Sequence, residues 1–287
     1  MKIKMTRGEK IFQVLNYTFL TLLSITCLYP LWHVVMASFS DQYALLGHSG
    51  LIFWPLEFTT KAYEVVFKNP DIWTGYASTI KLLVCGVTWQ IAMTTLAAYV
   101  LSRPKFMLRR PLMLMITFTM FFGGGTIPFY MNLRDLGFLN NFWGLIIPFS
   151  LGTYNMIILR TSIEGLPNGL LEAATIDGAG HVTILIKIVL PLVKATLAVL
   201  VLYYGVGHWN SWFWAIRVIS DKDQLPLAVI LRDILINNDM ANMGGAFEIA
   251  ENVRYSTIVV STLPILCVYP FIQKYFTQGV MIGAIKE

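Results

Sequence analysis

The stretch ATLAVLVLYYGVGHWNSWFWAI at residues 195–216 contains no Asp, Glu, Lys or Arg. A helix needs about 20 mostly apolar residues to cross about 30 Å of hydrocarbon, and it must satisfy its backbone hydrogen bonds internally. Because residues 195–216 meet the length and composition that this requires, they predict a membrane-spanning helix.

Five more stretches without these charged residues occur elsewhere in the chain of 287 residues. The mean hydropathy is +0.64, and 13% of the residues are charged, against about a quarter in soluble domains. We therefore predict an all-α integral membrane protein with six transmembrane helices in a single transmembrane domain, residues 1–287. The predicted spans are Ile11–Met36, Leu82–Leu101, Pro111–Tyr130, Phe142–Leu159, Ala195–Ile216 and Tyr255–Gln273.

The first stretch has two interpretations. Basic residues precede it, as they do in a secretory signal peptide. Its apolar run is longer than that of a typical signal peptide, which favours an uncleaved span. The basic residues at this start are Lys2, Lys4, Arg7 and Lys10.

The distribution of Lys and Arg predicts the orientation of the spans. Six spans leave both termini on one side, and cytoplasmic loops carry an excess of basic residues. With both termini inside, residues 1–10, 103–110, 160–194 and 274–287 are cytoplasmic and hold most of the Lys and Arg. We therefore predict a multi-pass protein of the cytoplasmic membrane with both termini inside. The net charge of +5 then reflects basic loops beside the anionic inner leaflet, and nucleic acid is not needed to explain it.

The internal segment 160–194 predicts a helix–turn–helix elbow. Pro167 suits a helix start, and Gly178 suits its end. A second helical pattern follows over His181–Val189, before Leu190 and Pro191 mark the entry to the fifth span. The residues by themselves leave two roles open for this elbow, a connector on the membrane surface or a docking element for another protein.

The spacing of residues in this elbow resembles the EAA signature of permease subunits in binding-protein-dependent ABC importers. Glu172-Ala-Ala174, Gly178 and the later Ile188-Val-Leu-Pro191 carry the resemblance. It implies a coupling helix that docks on an ATPase subunit, with Glu172 accepting charge-assisted hydrogen bonds and Gly178 permitting the tight turn. For Asp177 a local role at the helix end remains open. The predicted coupling residues are Glu172, Ala173, Ala174, Asp177, Gly178, Gly180, Ile188, Leu190 and Pro191.

The resemblance extends over the chain and favours the carbohydrate branch, in particular maltose-type second permeases of the LplC/YtcP kind. It implies import of a sugar or oligosaccharide, with uronate-containing oligosaccharides associated with those relatives. The implied partners are a second permease in a heterodimer, two ATPase subunits that hold the ATP and Mg, and an extracytoplasmic solute-binding protein that meets the loop at residues 218–253. The tail 274–287 would reach the ATPases through Gly279, Met281, Gly283 and Lys286.

Two regions are candidates for the substrate pathway. Trp209, Asn210 and Trp212 offer aromatic faces beside an amide, a surface suited to sugar rings. The alternative is an aromatic belt at the membrane interface. Gly124 and Gly125, before Pro128, predict a bend in the third span or its plain termination.

Motifs for other functions are missing from the sequence. It contains no GxxxxGK[ST], HExxH or CxxC pattern, so we expect no bound cofactor, no metal site and no ATP hydrolysis by this chain. An ion-coupled secondary transporter is the main alternative, but such proteins commonly hold ionisable groups in mid-span. A membrane-embedded enzyme is a third possibility, for which no catalytic arrangement stands out.

Overall fold

The computed structural model of the chain describes residues 6–236 and 251–284, without the side chains at positions 168, 236 and 268–284. Over that range every regular element is helical. The principal helices are α1 (Arg7–Ser38), α2 (Pro70–Ser102), α3 (Arg109–Phe121), α4 (Thr126–Asp135), α5 (Thr153–Glu164), α6 (Asn168–Ile176), α7 (His181–Leu192), α8 (Lys194–Trp209), α9 (Leu227–Ile236) and α10 (Glu251–Ala284). Short helical turns cover Gln42–Leu46, Lys61–Lys68, Phe142–Leu145, Ile147–Phe149, Ala215–Val218 and Lys222–Gln224.

Within the described residues, α1 and α2 are each long and apolar enough to cross a membrane, with 32 and 33 residues. Three further candidates are bent pairs: α3 with α4 at 119°, residues 142–149 with α5 at 49°, and α7 with α8 at 84°. Counting each pair as one span gives up to five. The prediction of an all-helical membrane protein is confirmed.

α1, α2 and α10 extend beyond the spans predicted for them, whereas α8 ends at Trp209, short of the predicted end at Ile216. α2 begins at Pro70, well before the predicted start at Leu82, and it includes Asp71 and Lys81. Proline is favoured in the first turn of a helix because its fixed backbone angle is already helical and its missing N–H has no role there. The charge-free stretch therefore does not mark the start of α2.

The glycine-rich segment interrupts the third predicted span. α3 ends at Phe121, and α4 begins at Thr126 after Gly125, whose φ of 88° is in the region that favours glycine. The prediction of a break at this place is confirmed, and the 119° bend shows that the two helices do not continue one another.

The chain divides into two compact units. The first holds the described residues of Met1–Asn69 and Asp233–Leu263. The end of α1 is tied there to the start of α10, since the Ser256 hydroxyl donates to the Ser38 carbonyl at 3.1 Å and the Asn252 amide donates to the Ser40 carbonyl at 3.1 Å. Most apolar side chains of α1 are exposed in the single chain, as expected for a helix that faces lipid or another membrane subunit.

The second unit holds Pro70–Arg232 and the described residues of Pro264–Glu287. α2 packs against both α5 and α8, and the three helices share one apolar core with the elbow helices α6 and α7. The core side chains with almost no exposure include Ala98, Met156, Leu159, Val189 and Leu200. The elbow is therefore joined to the spans by close packing as well as by the chain.

Candidate functional site

Helix α6 of the elbow has a buried face and an exposed face. Leu171 and Ala174 are buried in the shared core. Glu172 and Ala173 point away from it and are exposed, and Ile176 is 86% exposed. An isoleucine this exposed beside a carboxylate suits a partner that offers both an apolar pocket and a basic group.

A hydrogen-bonded glycine turn ends α6. Gly178 has a φ of 82°, the Ala179 N–H donates to the Ala174 carbonyl at 2.9 Å, and the Gly178 N–H donates to the Thr175 carbonyl at 3.1 Å. This pair of bonds is a Schellman motif, in which glycine supplies the left-handed backbone without steric cost. The predicted helix end at Gly178 is confirmed. Asp177 is the exposed residue just before it.

Helix α7 returns the chain from the turn to α8. Its first turn is closed by the Ile184 N–H donating to the Gly180 carbonyl at 3.0 Å, and the His181 ring lies 3.3 Å from the Tyr99 hydroxyl of α2. Ile188 and Leu190 pack on the shared core, whereas Pro191 is exposed. The predicted coupling residues thus divide into packing and surface positions.

The predicted coupling residues left out the two most exposed apolar side chains of the elbow. Ile176 and Val182 are 86% and 69% exposed. Ile176 lies four residues after Glu172, which places both on one side of a helix. That spacing could have indicated Ile176, but the sequence offered no comparable signal for Val182, which lies beyond the turn.

A cleft of about 300 Å³ lies among α2, α8 and the segments 145–149 and 210–215. A buried pair of polar side chains forms part of its wall. The His208 Nε2 donates to the Gln90 Oε1 at 2.8 Å, and the Gln90 amide donates to the Phe149 carbonyl at 2.8 Å. The Ser211 hydroxyl is buried and has no hydrogen-bond partner among the described residues. The cleft wall therefore contains hydrogen-bonded polar side chains and one buried hydroxyl.

Gln90 and Tyr204 bind the backbone at a break in the fourth predicted span. Between residue 149 and the start of α5 at Thr153 the backbone is not helical. Gln90 binds the Phe149 carbonyl, while the Gly152 N–H donates to the Tyr204 hydroxyl at 3.2 Å. The Thr94 hydroxyl lies 2.7 Å from the same Tyr204 oxygen. Broken backbone is tolerated at membrane depth when neighbouring groups bind its polar atoms in this way.

The closest approach in this network is between α2 and α8 at Gly86. A Cβ atom added there would lie 2.4 Å from the His208 Nε2, which is closer than atoms pack. Gly86 therefore gives the His208 ring the space in which it reaches Gln90.

The structure brings only part of the predicted pathway set to this cleft. Asn210 lines it. Trp209 packs on Tyr76, with ring centroids 6.4 Å apart, and Trp212 lies under the guanidinium of Arg232 at 5.2 Å. Gly124 and Gly125 belong to the break between α3 and α4.

The predicted pathway residues did not include the polar side chains of the cleft wall, which lie within apolar stretches of the sequence. Gln90 and Tyr204 cap the broken span, and His208 orients Gln90. A glutamine and a histidine within otherwise apolar spans were a usable signal, since buried polar groups need partners.

The structure describes the predicted tail contacts only in part. The backbone of Gly279, Met281 and Gly283 belongs to α10, but their side chains are outside the described part. Lys286 is outside the described residues altogether.

Apolar helices, a largely aromatic cleft among them that holds a few polar side chains, and an elbow packed on the same core are the features of a membrane transport component. The chain belongs to the family of binding-protein-dependent transport system inner membrane components, whose model matches residues 90–282. It is thus an inner-membrane permease subunit and not an enzyme. This confirms the predicted location in the cytoplasmic membrane and the predicted role as a transporter subunit. This membership also decides against the ion-coupled secondary transporter.

The chain is similar to known permeases over nearly its whole length. The polygalacturonan/rhamnogalacturonan transport system permease protein YtcP of Bacillus subtilis (strain 168) is 35% identical over 284 residues, which cover 97% of this chain and 99% of that protein. Protein LplC of the same strain is 35% identical over 286 residues, covering 98% and 97%. A chain in the crystal structure of a bacterial ABC transporter involved in the import of the acidic polysaccharide alginate superposes with a TM-score of 0.89 at 33% identity, covering 96% of this chain and 100% of that chain. The predicted likeness to LplC/YtcP-type subunits is confirmed.

Proposed function

We propose that this chain forms one half of the translocation pathway of an ABC importer for acidic oligosaccharides, and that the elbow couples it to separate ATPase subunits. The observation that carries the coupling role is the division of α6 into a core-packed face and an exposed face that holds Glu172 and Ile176. A second permease completes the pathway as a heterodimer, and an extracytoplasmic binding protein delivers the substrate. ATP and Mg are held by the two ATPase subunits.

In this proposal the chain has six spans with both termini in the cytoplasm. α1, α2, the three segments 109–135, 142–164 and 194–209, and α10 are the spans. α7 is then the second helix of the cytoplasmic elbow, and its 84° angle to α8 is the entry into the membrane. The excess of basic residues in the loops of this side supports the orientation.

Coupling follows from how the elbow is held. Glu172 accepts hydrogen bonds from basic groups of the ATPase, and Ile176 fills an apolar pocket. Leu171 and Ala174 belong to the same core as Leu159 of α5 and Leu200 of α8. Because packed cores move as rigid bodies rather than deforming continuously, displacement of α6 displaces α5 and α8 with it. The residues 279–286 give a second contact with the ATPases.

The cleft is the part of the pathway that this chain supplies. Its Asn210 amide can bind sugar hydroxyls, and Trp214 offers an aromatic face to a sugar ring. The acidic class of substrate is supported by YtcP and by the alginate importer, whose names specify polygalacturonan/rhamnogalacturonan and alginate.

The test is the substitution Glu172→Lys in the purified and reconstituted importer, with Glu64→Lys as the matched control. Glu64 is an exposed carboxylate on the short helix Lys61–Lys68, so both variants make the same change of charge. We expect Glu172→Lys to abolish substrate-stimulated ATP hydrolysis or to release the ATPases. The lysine would be repelled by the basic groups of the ATPase whose hydrogen bonds Glu172 accepts. Coupled hydrolysis and ATPase retention equal to those of Glu64→Lys would refute the coupling role.

A further inference from the structure

A second cavity, of about 600 Å³, lies at the ends of α2, α3 and α5. Lys105, Arg109, Arg110 and Arg160 line it. α2 ends at Ser102, α3 begins at Arg109, and Arg160 is in the last turns of α5. Three spans therefore bring their basic ends together at one membrane surface.

The positive charge of this cavity is only partly compensated. Glu164 pairs with Arg160 at 2.7 Å and also with Arg109. Among the described residues no carboxylate pairs with Lys105 or Arg110. Two arginines also occupy the first turn of α3, where the helix dipole disfavours cations and favours an anion.

The cavity opens beside an apolar surface. Met107 and Met113 line it together with the cations, and Met107 is 93% exposed. Along α3 the exposed apolar side chains continue through Leu114 and Phe118 to Phe121. The 13 residues of α3 correspond to about 20 Å of helix, enough to accompany an acyl chain through one leaflet of about 15 Å.

We propose that this cavity binds the phosphate headgroup of an anionic phospholipid, with an acyl chain along α3. Lys105 and Arg110 bind the phosphate oxygens, and the pairs made by Glu164 hold Arg109 and Arg160 in the wall. Scattered surface cations would suffice to orient the protein, whereas a cavity that gathers cations from three spans beside an apolar strip suits a lipid with both a charge and a chain. The proposal requires only insertion in the membrane, and it does not depend on the substrate or on the elbow.

The test uses the complete importer complex in detergent, titrated with phosphatidylglycerol or phosphatidylcholine and examined by native mass spectrometry. The variant is Lys105→Gln with Arg110→Gln. The control is Lys61→Gln with Lys222→Gln, which removes two exposed cations elsewhere. Since a basic residue near a membrane surface contributes about 1 kcal/mol, we expect the first variant to bind phosphatidylglycerol about thirty-fold more weakly. The control keeps the affinity of the unaltered complex.

A measurement on the unaltered complex makes the test independent of variant folding. In nanodiscs that contain phosphatidylglycerol, Lys105 is protected from an amine-acylating reagent, and in phosphatidylcholine nanodiscs it reacts. Equal reactivity in both lipids would overturn the proposal. Protection by inorganic phosphate in phosphatidylcholine nanodiscs would overturn it in favour of a free anion. Loss of the ATPases from the variant with unchanged lipid binding would overturn it in favour of an acidic protein partner.

Discussion

The substitution Gly86→Ala tests the contact between α2 and α8 that forms one wall of the cleft. The new Cβ would lie 2.4 Å from the His208 Nε2 and 2.7 Å from its Cε1. The ring must move, and its bond to Gln90 at 2.8 Å is then lost. Overpacking costs about 1–3 kcal/mol, and a buried hydrogen bond contributes about 1 kcal/mol.

Gly205→Ala is the matched control, because a Cβ at this other helical position meets nothing within 4 Å. Both changes gain the same helix propensity of about 1 kcal/mol. The difference between the variants is therefore the clash and the lost bond, about 2–4 kcal/mol.

The assay is thermal unfolding of the purified importer, with oligosaccharide import measured in parallel. We expect a midpoint for Gly86→Ala at least about 4 °C below that of Gly205→Ala, together with reduced import. Removing the ring as well, with His208→Ala, should relieve part of the loss, because neighbouring changes are not additive. Equal midpoints and equal import for the two alanine variants would refute this account of the cleft wall.

Three further substitutions test the turns and the broken span. Gly178→Ala forces a side chain into the left-handed region at a cost of about 1 kcal/mol or more, so coupled ATP hydrolysis should fall. The control is Gly169→Ala, because a Cβ at this position meets nothing within 4 Å. This control should leave coupled ATP hydrolysis unchanged. Asn140 has a φ of 51°, and its side-chain oxygen accepts two backbone N–H bonds at 3.1 Å. The unfolding midpoint should therefore be highest for the wild type, lower for Asn140→Gly and lowest for Asn140→Ala. Equal midpoints for the Gly and Ala variants would show that the backbone angle contributes nothing to the difference in stability. Tyr204→Phe removes the hydroxyl bonded to Thr94 and Gly152 and should cost about 1–3 kcal/mol, while Tyr154→Phe, at a 60% exposed ring, should cost little in the same unfolding measurement.

The elbow shows how far local sequence can predict structure. The helix end at Gly178 was predictable because a Schellman turn needs only a glycine and the preceding residues. The buried face of α6 was not predictable, since Leu170, Leu171, Ala173 and Ala174 surround much of a short helix. Packing into the core shared with α2, α5, α7 and α8 selected Leu171 and Ala174 as the inner residues.

The fourth predicted span shows the opposite case. Its apolar composition predicted one continuous helix over 142–159, whereas the structure has short helical turns over 142–149 and a helix only from Thr153. Pro148 removes a backbone donor in this segment. The break persists because Gln90 and Tyr204, both distant in sequence, bind its carbonyl and N–H groups.

The sequence alone determined that this protein lies in a membrane and where its elbow turns. Transfer of an uncharged apolar stretch into hydrocarbon and the conformational freedom of a glycine are both properties of a local segment. The tertiary structure decided which elbow residues face outward and where the cleft forms. His208 meets Gln90 across 118 positions of the chain, and such a pair exists only after α2 and α8 have packed. Buried polar groups must find partners wherever the fold provides them, so their positions follow from long-range packing and not from local pattern.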